Sequence, residues 1–212
     1  MKSAKLLITA WFVASLLHAP AAMAYSAAAA NQWLLAQRWD DLLQYVQHWT
    51  AAQPDDAEGW YYLGQTYSIG FERPDEALEP LKRAVILRPV WAQAWNSLGL
   101  VHTKLKQHRE AIEAFQKAIA QAPQTMSYWF NLASAQSTTN DFDAAHATLV
   151  QGAVTAGPST GYEDWYNLGL GFQQLHDCVN AANAYAQTVR RNPRLGDGWN
   201  NLGTVTSISY RV

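Results

Sequence analysis

Five tryptophans recur at a nearly constant interval, and this feature constrains the fold more than any other. They are Trp60, Trp95, Trp129, Trp165 and Trp199, separated by 35, 34, 36 and 34 residues. Each is followed by Leu three positions later and by Gly or Ala four positions later. Self-similarity at such a period indicates a structural unit that buries its apolar face only against neighbouring units. The sequence therefore predicts a repeat array.

Each unit is predicted to contain two helices. Spacings of three, four and seven residues after each Trp place the shared side chains on one helical stripe. A second block follows in register, with Ala and then a bulky residue four positions later: Ala77 and Leu81, Ala111 and Phe115, Ala145 and Leu149, Ala181 and Tyr185. The small residue of the first block is expected where the second helix approaches closely. Prolines that end helices close the units: Pro54, Pro89, Pro123 and Pro193, with Gly157 and Pro158 in the fourth.

This pattern resembles the tetratricopeptide repeat, a 34-residue helix–turn–helix unit, and it matches nearly in full at 92–125. The resemblance implies an all-α, right-handed α-α superhelix. One extra residue within 69–74 is expected to lengthen a turn, and two more near 159–161 are expected to alter the pitch without breaking the stack. The predicted units are a degenerate one at 25–56, four at 57–91, 92–125, 126–159 and 162–195, and a partial one at 196–212 with only a first helix.

Residues 1–24 have the layout of a secretory signal peptide. Two lysines precede a twelve-residue apolar run, and small residues lead to Ala24. The run is shorter than the roughly 20 residues that span a bilayer. The sequence thus predicts cleavage after Ala24 and transport across the inner membrane, to a periplasm. A retained membrane anchor is the alternative.

Nothing in the sequence points to catalysis. Charged residues make up 15%, and no concentrated basic surface indicates nucleic-acid binding. Cys178 is the single cysteine and has no fixed His or acid beside it. The histidines lack a metal-ligand spacing, and the two glycines within 168–172 follow no strand. We therefore predict no enzyme, metal site or cofactor, and we interpret the tryptophans as core residues.

The resemblance implies that ligands bind in a concave groove lined by the first helices. Positions two before and one, five and eight after each Trp point into it. These positions hold no Lys or Arg, so the cationic clamp that some relatives use for acidic peptide tails is incomplete, although Asn131 and Asn167 match its Asn place. For any single position, the alternative is a solvated helix face. The predicted groove residues are Glu58, Tyr61, Gln65, Ser68, Gln93, Asn96, Leu100, Thr103, Ser127, Phe130, Ser134, Ser137, Glu163, Tyr166, Leu170 and Gln173.

The sequence favours an exported scaffold that holds a protein or peptide segment in this groove. Tyr61, Phe130 and Tyr166 are expected to anchor the ligand and to contribute little to folding. The alternative function is a fragment or accessory subunit of a bacterial envelope polysaccharide synthesis, export or secretion assembly. After cleavage no membrane insertion is expected. The last helix, Ser- and Thr-rich and without a capping helix, predicts an exposed apolar edge. Another copy of the chain or a partner is expected to cover this edge, unless the chain is a piece of a longer array; fraying is the remaining alternative.

Overall fold

The computed structural model describes residues 25–209, which form eleven α-helices and one π-helical turn and no strand. The predicted signal peptide and Tyr210–Val212 lie outside the described residues. The α-helices are α1 (Ala27–Leu35), α2 (Trp39–Ala52), α3 (Ala57–Gln65), α4 (Pro74–Leu87), α5 (Ala92–Lys104), α6 (His108–Gln121), α7 (Met126–Thr138), α8 (Phe142–Thr155), α9 (Tyr162–Gln174), α10 (Cys178–Arg191) and α11 (Gly196–Ser209).

Each helix packs against the next one along the chain, and the first helices of neighbouring pairs also meet. The pairs are α1 with α2, α3 with α4, α5 with α6, α7 with α8, and α9 with α10. The core lies between the two helices of each pair and continues between neighbouring pairs. The second helix of each pair contributes one side chain from its middle to the centre of the core. Each of these side chains is no more than 1% exposed: Val46, Leu81, Phe115, Leu149 and Tyr185. The predicted all-α superhelix is confirmed.

The small residue four positions after Trp has the expected steric role. A Cβ atom at Gly99 would lie 2.5 Å from Cε1 of Phe115, and one at Gly169 would lie 2.6 Å from Cε1 of Tyr185. Contacts this short do not occur between real side chains, so a methyl group at either position would push the second helix outwards. The glycine therefore sets the distance between the two helices of its unit.

The tryptophans pack at the edge of the core rather than at its centre, which corrects the sequence-based interpretation. Four of the five are half-buried, and Trp199 is 52% exposed. The indole N–H of Trp60, Trp95, Trp129 and Trp199 donates to the carbonyl of the proline six residues earlier, at 2.8–2.9 Å. Each tryptophan thus joins its helix to the end of the preceding unit.

Trp165 breaks this pattern. Its indole nitrogen is buried without a hydrogen-bond partner. Ser159 stands six residues before it because of the two-residue insertion, and the proline is one position too far away. The insertion leaves α9 in contact with α8, so the stack continues as predicted.

The extra residue of the second unit forms a π-helical turn instead of lengthening the predicted turn. The π-turn, Thr66–Gly70, continues directly from α3, and the amide of Phe71 donates to the carbonyl of Thr66 at 3.2 Å. The turn that follows shares one backbone feature with the turns of the other units. One non-glycine residue with a positive φ of 53–61° occupies it in each case: Gln37, Glu72, Lys106, Asn140 and His176.

The last described helix docks against α10, but it presents an open outer face. Gly198 approaches Val189 and Thr188 of α10, and Val205 is fully buried. A Cβ atom at Gly203 would meet nothing within 4 Å. The helix extends to Ser209 despite its weak helix formers.

Candidate peptide-binding groove

A cleft of about 380 Å³ opens on the first helices of the second and third units. It contains seven of the predicted groove residues, so α3, its π-turn and α5 bring these side chains together as expected. Four further lining residues were missed by the positional rule. The complete lining is Tyr61, Gln65, Ser68, Ile69, Gln93, Asn96, Ser97, Leu100, Thr103, Lys104 and Tyr128.

Side-chain amides in this cleft have free hydrogen-bonding groups. The Nε2 of Gln65 donates to the hydroxyls of Tyr61, at 2.7 Å, and Ser97, at 2.9 Å, which leaves its Oε1 free. The Oδ1 of Asn96 accepts from Asn131 at 2.8 Å, which leaves both N–H groups of Asn96 free. A free carbonyl and a free amide can pair with the N–H and C=O of a peptide backbone.

The cleft also has exposed apolar surface. Ile69 is 52% exposed and Leu100 is 41% exposed. Tyr128 is buried beside them, and this burial, with a smaller effect of Tyr61, raises the pKa of its phenol. The phenol therefore stays neutral at physiological pH. Such a surface favours a ligand that contributes apolar side chains as well as backbone hydrogen bonds.

One lining residue is cationic, which corrects the expectation of a groove without Lys or Arg. Lys104 lies nine positions after Trp95, one beyond the last position considered. Its Nζ donates to the carbonyl of Ser68 in the π-turn at 2.8 Å. The cleft contains no Asp or Glu.

The remaining predicted positions do not extend this cleft. Glu58 pairs with Arg88 at 3.3 Å. Ser127 is exposed, and Phe130, Ser134 and Ser137 line a space of only about 10 Å³. The predicted groove is therefore interrupted at the fourth unit.

A second cleft of about 370 Å³ follows at the fifth unit. Glu163 and Tyr166 line it together with Asn167 and Asp197. Leu170 instead packs against the core, and Gln173 accepts a 2.7 Å hydrogen bond from the hydroxyl of Tyr185. These two positions support the fold.

Two of the predicted aromatic anchors are also structural. The ring of Tyr61 lies 5.4 Å from that of Tyr62 and 4.6 Å from that of Trp91. The ring of Tyr166 lies 5.7 Å from that of Tyr185. Tyr61 and Tyr166 both pack against the hydrophobic core. These contacts contradict the expectation that Tyr61 and Tyr166 contribute little to folding.

The described residues contain no group of three or more His, Cys, Asp or Glu that could hold a metal ion. Cys178 is a free thiol that packs beside the core. Between Tyr25 and Ser209, no helix is both long and apolar enough to cross a membrane.

Comparison with known proteins identifies the repeat. Residues 92–124 match the tetratricopeptide repeat family model. Protein FlbA of Caulobacter vibrioides is 31% identical over 104 residues, which are 49% of this chain and 17% of FlbA. The chain thus spans less than a fifth of the length of this relative.

Solved structures share the fold. MamA superimposes with a TM-score of 0.62 at 20% identity, covering 78% of this chain and 95% of MamA. YrrB, described as a TPR protein with an unusual peptide-binding site, gives a TM-score of 0.57 at 16% identity and covers 81% of this chain and 87% of YrrB. The chain therefore contains one matched tetratricopeptide repeat at residues 92–124 and shares the fold of these solved structures.

Proposed function

We propose that this protein is a non-enzymatic scaffold that holds a segment of another protein in the cleft between its second and third units. The observation that carries the proposal is the lining of this cleft, which combines exposed aliphatic side chains with free side-chain amides. An extended peptide contributes both apolar side chains and backbone hydrogen bonds. The peptide-binding site named for YrrB supports the same class of ligand.

This proposal is tested by capturing binding proteins from an extract with the wild type and with a variant in which the cleft is altered. Leu100→Ser removes exposed apolar surface from the cleft, and Ile86→Ser is a matched control because Ile86 is 67% exposed and lies outside it. We expect Leu100→Ser to lose captured proteins that the wild type and Ile86→Ser retain. Equal capture by all three proteins would contradict a role for the cleft, provided that circular dichroism shows the same helix content.

We also propose that the protein works in the periplasm of a Gram-negative cell after removal of residues 1–24. The signal-like sequence supports this, and the packing of the residues that follow it is compatible with cleavage. The ring of Tyr25 stacks on that of Trp49 at 6.1 Å, and the amide of Ser26 donates to the hydroxyl of Tyr45 at 2.9 Å. Cleavage after Ala24 would therefore leave these contacts in place. Mass spectrometry of the exported protein is expected to show Tyr25 as the first residue, and intact Met1 in the membrane fraction would contradict cleavage.

A further inference from the structure

The second cleft, at the fifth unit, has a negatively charged lining. Six residues line it: Tyr162, Glu163, Tyr166, Asn167, Leu195 and Asp197. Its charged side chains are thus two carboxylates. Glu163 belongs to α9 and Asp197 to α11, which are the first helices of neighbouring units. A positively charged group is therefore the electrostatic complement of this cleft.

The protein itself neutralises neither carboxylate. The Oε1 atom of Glu163 accepts a hydrogen bond from the hydroxyl of Tyr162 at 2.9 Å, which leaves Oε2 free. Between Tyr25 and Ser209, no Lys, Arg or His pairs with Glu163 or Asp197. Arg194 is the basic residue closest to Asp197 in sequence, yet its exposed side chain forms no ion pair within this range. Both carboxylates are therefore available to a ligand.

Helix capping does not account for Glu163. Glu163 and Asp197 each lie in the first turn of a helix, where the positive end of the helix dipole stabilises a carboxylate. In α9, however, Asp164 already caps the helix, because its Oδ2 accepts from the amide of Gly161 at 3.3 Å. Asp164 does not line the cleft. Glu163 is therefore a second acid that lines the cleft rather than the cap of α9.

Two tyrosines add aromatic surface beside the carboxylates. Tyr162 and Tyr166 are four residues apart in α9, so their side chains lie on one face of this helix. The hydrogen bond from Tyr162 to Glu163 holds the first ring next to a carboxylate. The Nδ2 of Asn201 donates to the hydroxyl of Tyr166 at 3.2 Å and holds the second. A guanidinium group suits such a lining, because it donates hydrogen bonds in its plane and stacks its flat faces on aromatic rings.

Building on the proposed function, we propose that the second cleft binds the guanidinium group of an arginine in a segment of the partner protein. The free Oε2 of Glu163 and the carboxylate of Asp197 accept its N–H groups, and the tyrosine rings cover one of its faces. The aliphatic part of the arginine covers Leu195, which is half-buried. A lysine in the same place supplies a point charge without the flat, forked donor group, and an acidic residue is repelled.

Four fluorescent peptides test the proposal in anisotropy titrations of the purified protein. They are blocked at both ends and identical except at one position, which holds arginine, lysine, citrulline or glutamate. Citrulline is the matched control, because it keeps the shape of arginine and loses its charge. We expect the arginine peptide to bind about tenfold more tightly than the citrulline peptide, as for one charge-assisted hydrogen bond. The lysine peptide should bind with intermediate affinity, and the glutamate peptide should bind weakest.

Substitutions in α9 and α11 locate the effect. Glu163→Gln and Asp197→Asn are each expected to reduce the preference for arginine over citrulline, whereas Asp164→Asn is expected to retain it. Asp164→Asn is the matched control because it makes the same charge change in the same helical turn, outside the cleft. Circular dichroism checks that the three variants keep the helix content of the wild type. High salt should also reduce the preference, since both carboxylates are exposed.

Four results would overturn the proposal. They are no binding of any peptide, equal binding of the arginine and citrulline peptides, equal binding of the arginine and lysine peptides, and a preference that Glu163→Gln and Asp197→Asn leave unchanged. The capture experiment tests the scaffold function separately, because Leu100→Ser alters the other cleft. Loss of arginine selectivity and loss of the scaffold function are therefore distinguishable.

Discussion

At the scale of single residues, the hydrogen bond from tryptophan to the preceding proline recurs in four of the five units that carry the repeated tryptophan. The unit of Trp165 lacks it. Trp129 donates to Pro123 at 2.8 Å, whereas the indole nitrogen of Trp165 is buried without a partner. An unpaired buried donor costs free energy that a paired one does not. The two tryptophans should therefore respond differently to the same substitution.

Trp165→Phe is expected to cost about 1 kcal/mol less unfolding free energy than Trp129→Phe, because only the second substitution breaks a hydrogen bond. Urea denaturation of the two variants and the wild type measures this difference. Equal losses, or a larger loss for Trp165→Phe, would show that the hydrogen bond to proline contributes nothing measurable.

Tyr185 gives a second prediction at this scale, because its hydroxyl donates to Gln173 at 2.7 Å within the core. Tyr185→Phe is expected to cost about 1 kcal/mol near neutral pH. Burial, and to a smaller extent Tyr166, raises the pKa of Tyr185 to about 12, above the unfolded value near 10. The stability that depends on the protonated phenol is therefore complete below about pH 10 and is lost as the pH rises towards 12.

Denaturation of the wild type and of Tyr185→Phe at increasing pH tests the direction of this change in stability. The stability advantage of the wild type should shrink above about pH 10 because the phenylalanine variant has no group to titrate at this position. An advantage that grows with pH would contradict the raised pKa.

At the scale of elements, the turns inside the units hold a non-glycine residue in the left-handed region. Lys106, at φ 59°, is one of five. A side chain there costs roughly 1–2 kcal/mol, and glycine loses about 0.5–1 kcal/mol of chain entropy on folding. Lys106→Gly should therefore stabilise the protein by about 0.5–1 kcal/mol in thermal or urea unfolding.

An exposed helical position is the control for this glycine substitution. Gln116 lies within α6 and is exposed, so Gln116→Gly should destabilise the protein by roughly 1 kcal/mol. Destabilisation by both substitutions would show that the left-handed geometry of Lys106 carries no strain.

The elements also show how far the sequence predicts the structure. The pairing of Gly99 with Phe115 follows from the repeat pattern, because identical spacings require identical helix contacts. The π-turn does not follow from it, since one extra residue fits either a longer turn or a wider helical turn. Lys104 was missed because it lies nine positions after Trp95, one beyond the last groove position considered.

At the scale of the whole molecule, the predicted groove is divided into two clefts of different charge. The repeat pattern assigns the same positions to every unit, but their neighbours differ. Phe130 of the fourth unit meets a closely packed surface, whereas Tyr61 of the second lines an open cleft. These differences arise from packing between units, which a single repeat does not encode.

The open outer face of α11 leads to a prediction about association. Trp199 is 52% exposed. A Cβ atom at Gly203 would face open space, whereas one at Gly99, the equivalent position of the third unit, would meet Phe115. We expect a polypeptide of residues 25–212 to self-associate with increasing concentration in light scattering, and Trp199→Glu to reduce this association. A strict monomer with a protease-resistant C-terminal helix would contradict the expectation.

The central claim is that the cleft between the second and third units, and not the outer surface, holds the partner segment. A photo-crosslinking amino acid at Gln93, which lines the cleft, or at Gln116, on the exposed surface of α6, tests it most directly. Irradiation of cells is expected to join the partner to the protein from position 93 and not from position 116. Crosslinks from position 116 alone, or equally from both positions, would contradict it.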